Sequence, residues 1–195
     1  MKFQHAGLAL LLALPVSLSG QMQRSATAAA FGVSVRTGTV NQTAASAVLP
    51  GDGSVAQARA GDVTIGTYVS AQDVFSIATG DGSDPADAGS SSTLESVSVL
   101  NGLITANGVV AIASSTGGTS DAEGSSLANL TVNGVSLDTP APNTRVNLPG
   151  VGYVVLNEQT TTPGGITVNM IHVVLQTFGV TTGEIIVGSA SSQVN

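Results

Sequence analysis

The 195-residue chain contains no cysteine, which excludes disulfides, iron–sulfur clusters, a thiol nucleophile and the lipobox cysteine of a bacterial lipoprotein. It has no tryptophan, and aromatics are 3% of its residues, so a core must be built from Val, Ile, Leu and Ala. Charged residues make up 9%, against about 25% in an ordinary soluble domain. Lys2 is the sole lysine, and Arg24, Arg36, Arg59 and Arg145 complete the basic set. Long apolar runs are also missing. After the N-terminal stretch no run of about 18 apolar residues occurs, so no spanning helix is expected in the mature chain.

What fills the space is Gly, Ser, Thr, Asn and Ala, a mixture that suits a turn-rich, all-β extracellular domain. Residues 1–30 have the layout of a secretory signal peptide. Lys2 and His5 form a short basic region, Ala6–Leu18 is an apolar stretch broken by Pro15, and small residues follow. Cleavage is expected after Ser19 or Gly20, or in the preferred later region Ala26–Ala30, because Phe31 opens a strand pattern. Without residues 1–30, three arginines stand against twelve acids, a net charge of −9. Such a surface repels phosphate backbones, and nucleic acid is not an expected partner.

Residues 31–195 are expected to form a single antiparallel β-sandwich of short strands and hairpins. The centre is Pro140–Leu175. There, strands over Gly152–Gln159 and Ile166–Leu175 flank a longer loop containing Pro163-Gly164-Gly165. Phe31, Val33 and Val35 alternate with Gly32, Ser34 and Arg36 as one apolar face. Asp62–Val74 predicts two short strands around Gly66. Asn-Gly pairs at 101–102, 107–108 and 133–134 predict hairpin turns. Thr79–Ser92 and Ser115–Ser126 read as loops. Glu184–Ala190 reads as a strand buried on both faces. No helix of useful length is predicted after residue 30, and no fixed repeat suggests a solenoid.

Candidate chemistry is sparse. His172 is the sole histidine after residue 30, and Glu158 is the other ionisable group in the central hairpin. In an even strand register the two project from one face, an arrangement that suits acid–base work. A half-buried polar pair is the plainer reading, since no nucleophile is placed beside them and one histidine builds no metal site. Asp81, Asp84 and Asp87 form an acidic loop of the kind that offers oxygens to Ca²⁺, but their spacing matches no established calcium loop, and a solvated loop is the plainer reading. Asp121 and Glu123 are similar. Asn41-Gln42-Thr43 and Asn129-Leu130-Thr131 are glycosylation sequons in a host that glycosylates. No cofactor and no catalytic residue is assigned.

Several spaced segments resemble the choice-of-anchor P family of bacterial secreted and surface proteins. They are Ala30-Phe31-Gly32, Val97–Ile104 (VSVLNGLI), Gly124–Leu127 (GSSL), Pro140–Thr144 (PAPNT), Leu156–Gln159 (LNEQ) and Ile166–Val173 (ITVNMIHV). Family members often carry two cysteines where this chain has Ser114 and Ser191 nearby. The resemblance implies export and a surface or matrix role, and it brings no activity. The expected function is therefore a secreted, non-enzymatic cell-surface or extracellular-matrix structural protein. Its expected partners are itself or other matrix components. The alternative is a carbohydrate- or calcium-binding adhesion module built on the acidic loops.

Overall fold

The computed structural model describes residues 25–83, 85–137 and 139–195. Within them the chain is all-β. In order, its strands are β1 (Ala26–Thr37), β2 (Asn41–Val48), β3 (Ala56–Ile65), β4 (Val69–Asp81), β5 (Asp87–Val99), β6 (Ile104–Thr116) and β7 (Thr119–Asp121). There follow β8 (Ser126–Leu127), β9 (Thr131–Val132), β10 (Val135–Ser136), β11 (Thr144–Leu148), β12 (Gly152–Thr162), β13 (Gly165–Thr177) and β14 (Val180–Val194). Two antiparallel sheets pack face to face as a sandwich. The first runs β11-β12-β13-β14-β1-β2. The second runs β10-β9-β6-β5-β4-β3, with β7 and β8 also paired to β6. No helix among the described residues is long and apolar enough to cross a membrane.

Most strands are longer than the hydrophobic pattern predicts. The central hairpin runs on through Thr160–Thr162, so β12 and β13 stay paired up to Thr162↔Gly165 around a tight Pro163-Gly164 turn. The β-branched threonines extend the ladder where a loop was expected. Thr79–Ser92 is also corrected. β4 continues to Asp81 and β5 begins at Asp87, leaving only the tip as a loop. β1 opens at Ala26 rather than Phe31, and Ala26–Ala30 pair with Val194–Ala190 of β14. Residues 1–24 of the expected signal peptide lie outside the described residues.

Each sheet is crossed by a line at which the inward-facing phase of its strands slips by one residue. In the first sheet the line passes through Ala45 (φ 51°), Gly32, Gly188 (φ 64°), Met170 and Asn157 (φ 49°), on adjacent strands. In the second it passes through Gly61, Asp73 (φ 47°), Glu95 and Gly108 (φ 90°). A left-handed residue in an otherwise extended strand turns the chain, and the residues beyond it present the opposite parity to the core. Thus β5 buries Ala88, Ser90, Ser92 and Leu94, then Val97 and Val99. β13 buries Ile166, Val168 and Met170, then Ile171 and Val173. Asn107-Gly108 is part of this line, inside β6, and not the hairpin turn its sequence suggests. Phe31 is likewise out of phase with Val33 and Val35.

Side chains in the core are on the whole smaller on one side of the line, with Ile166 and Val168 carrying the aliphatic cluster across it. On one side Val33, Val35, Val99, Ile104, Leu156, Ile171 and Ile185 form an aliphatic layer. On the other, near the β14 C-terminus, Ala28, Ala47, Ala78, Ala86, Ala88 and Val194 pack together, joined by buried serines. Short side chains fill an intersheet gap only if the sheets approach closely. Hydrogen bonds show that they do: Ser90 Oγ of one sheet donates to the Ser191 carbonyl of the other at 2.9 Å. Gly32 marks another close approach, because a Cβ there would lie 1.9 Å from Val74 Cγ1.

Candidate functional site

The phase slip builds the polar cluster on the outer face of the first sheet. Glu158 stands opposite Asn169 in the β12/β13 register, three residues from His172. In a plain pleat that spacing puts Glu158 and His172 on opposite faces. Because Met170 and Ile171 are both buried, Asn169 and His172 emerge on the same outer side, and the pair forms despite the odd register. His172 Nδ1 lies 2.9 Å from Glu158 Oε2. Asn169 Nδ2 donates to the same oxygen at 2.7 Å, and Ser189 Oγ donates to Asn169 Oδ1 at 2.8 Å.

The network continues across the sheet. His172 Nε2 is buried, with no hydrogen bond, 3.5 Å from Glu184 Oε2. Glu184 Oε1 in turn lies 3.3 Å from the Arg36 guanidinium, on the register pair Arg36↔Glu184. Glu158, His172, Glu184 and Arg36 therefore form a line of alternating charge over β12, β13, β14 and β1. The hydrogen bond that His172 donates to Glu158 raises the His172 pKa against the opposing effect of burial, with further support from the Glu158 and Glu184 charges. The same bond to His172 lowers the Glu158 pKa, burial opposes it, and the Asn169 bond adds to the lowering. The imidazolium form is thus favoured, held between two carboxylates. A histidine so held is a poor general base, since its proton must first be given up.

Sequence reasoning named Glu158 and His172 but missed Asn169, Ser189, Glu184 and Arg36. Their only signal was position on neighbouring strands, which requires the register. It also missed Asp73 and Glu95, which meet on the slip line of the second sheet, where the neighbouring Asp73 carboxylate raises the Glu95 pKa.

The acidic loop is engaged locally. Asp81 accepts the Ser83 backbone N–H at 2.9 Å and the Ser83 hydroxyl at 3.0 Å. Asp87 is its register partner across β4 and β5. Asp84 lies outside the described residues. Asp121 accepts the Glu123 N–H at 3.1 Å. Among the described residues, no group of three or more His, Cys, Asp or Glu side chains is placed to hold a metal ion. No family model, curated protein or solved structure matches this chain.

Proposed function

We propose that the protein is secreted and acts without catalysis as a structural component of the cell surface or extracellular matrix, assembling with copies of itself. One observation carries this reading: among the described residues, β2 is a sheet edge with no strand paired beyond it. It is eight residues long, NQTAASAV, with no charge and no proline. Natural sheets guard such edges with Lys, other charges, Pro or very short strands. Among the described residues the second sheet's long edge strand, β3, has only Arg59 and Asp62 as charged residues and lies against β2, so the two edges share one side of the sandwich.

Export is supported by the layout of the N-terminal residues and by the resemblance to choice-of-anchor P proteins. A non-catalytic role is supported by the closure of His172 between Glu158 and Glu184, with Nε2 buried. Light scattering on the purified exported protein across micromolar concentrations tests the proposal. Growth of the scattering mass with concentration is expected. A monomer at every concentration contradicts it.

A further inference from the structure

We infer that copies of this chain join end to end, the Phe178 tip of one seated in the outer-face groove at the opposite end of the next. This rests on the self-associating reading above and adds an end-to-end contact to the open β2 edge. Phe178 is one of four phenylalanines in a chain with no tryptophan, and it is fully exposed, at 103% relative accessibility. It occupies the first central position of the β13–β14 turn, with φ 52° followed by Gly179 at φ 80°. Two positive φ values define a type I′ turn, whose first position favours Asn, Asp or Gly. A bulky aromatic there is strained and gains no burial within its own fold. Val180 beside it is 66% exposed, which widens the apolar tip.

The receiving surface lies at the other end of the same sheet. The β13/β14 ladder runs from Thr177↔Val180 at the tip to Gly165↔Gln193, about 40 Å away at roughly 3.3 Å per residue. There a groove of about 340 Å³ has Ala29, Thr167, Ser191, Val48, Leu49 and Gln193 among its lining residues. Small residues on three adjacent central strands leave room for a ring, and Val48 is itself 62% exposed.

Charge permits this pairing. The protein is acidic, with net charge −7, yet neither Gln176–Gly183 nor any residue lining the groove is charged. The two surfaces meet without bringing like charges together. A knob and a hole at opposite ends of one subunit make a heterologous contact, which leads to open filaments unless a rotation closes it. A buried Phe contributes about 150–250 Å², far below the ~800 Å² per partner of a standard interface, so each contact is weak and assembly depends on concentration.

The test is sedimentation velocity on the exported protein, wild type beside Phe178→Ser and Thr167→Arg, with folding checked by circular dichroism. Phe178→Ser removes a side chain that makes no internal packing. It is expected to raise the concentration needed for assembly on the order of thirtyfold, as loss of an aromatic hot spot does. Thr167→Arg is expected to do the same from the groove side. An equal mixture of the two variants retains one good tip and one good groove, and should join through this contact only as far as dimers. If Phe178→Ser assembles like wild type, the tip-to-groove contact is wrong while self-association stands. If the wild type is monomeric throughout, both are wrong.

Discussion

The Ser115 and Ser192 hydroxyls share a 2.7 Å hydrogen bond across the gap between the two sheets, and both side chains are buried. Their situations differ. Ser115 has a second partner, Ser120 Oγ at 2.9 Å, whereas Ser192 has only Ser115 among the described hydrogen bonds. Removing one side of a buried pair is costly when the other is left unpartnered. Ser115→Ala should therefore cost about 1–3 kcal/mol, and Ser192→Ala about 1 kcal/mol or less. Ser192→Val should cost about 1–3 kcal/mol by overpacking the closely spaced Ala- and Ser-rich layer around it. Urea unfolding of the three variants gives the order.

The slip line predicts a second set of costs. Gly188 sits at φ 64°, and an added Cβ would lie 2.7 Å from Val109 Cγ1. Gly188→Ala therefore incurs backbone strain and a clash with the opposite sheet together. A loss of about 2–4 kcal/mol is expected in denaturant unfolding. Gly38, with nothing within 4 Å of its Cβ position, is the control and should tolerate alanine.

Much of the fold is legible in the sequence because Val, Ile and Leu announce strands by their spacing. The aliphatic half of the core, the Asn101-Gly102 turn and the central hairpin are all of this kind. The serine–alanine half is not. Ser90 and Ser92 read as loop residues because nothing local shows that their hydroxyls will be satisfied by Ser191 and Ser76. The slip line is equally hidden. It inverts the inward parity within single strands, so a period-two pattern read through it assigns Phe31 to the wrong face. The Glu158–His172 contact depends on that inversion, and the other four members of the cluster join it through strand register, which the sequence does not display.

The Glu158–His172 pair predicts how stability varies with pH. A raised His172 pKa contributes stability that is complete below its ordinary value of 6.5 and is lost as pH rises through the higher folded value. A lowered Glu158 pKa contributes stability present above its ordinary 4.5 and lost as pH falls through the lower folded value. The pair therefore contributes most between about pH 4.5 and 6.5. Wild-type melting temperature should fall on going from pH 6 to pH 9, and His172→Gln should flatten that slope. An unchanged slope in the variant would show that the pair is not its source.

The start of β1 limits where the proposed leader could be removed. Ala28 and Ala30 are buried, and Ala26–Ala30 form five register pairs with β14. Cleavage after Ala30 would strip these pairs and uncover Val194. Cleavage after Ser19 or Gly20 leaves the strand whole. N-terminal sequencing of exported protein should find a start before Ala26, and a start at Phe31 would contradict this.

Electron microscopy of the secreted material tests the central claim most directly. Filaments or larger assemblies are predicted in wild-type samples. A uniform field of separate particles about the size of one 19.2 kDa chain, at concentrations up to the solubility limit, would contradict it.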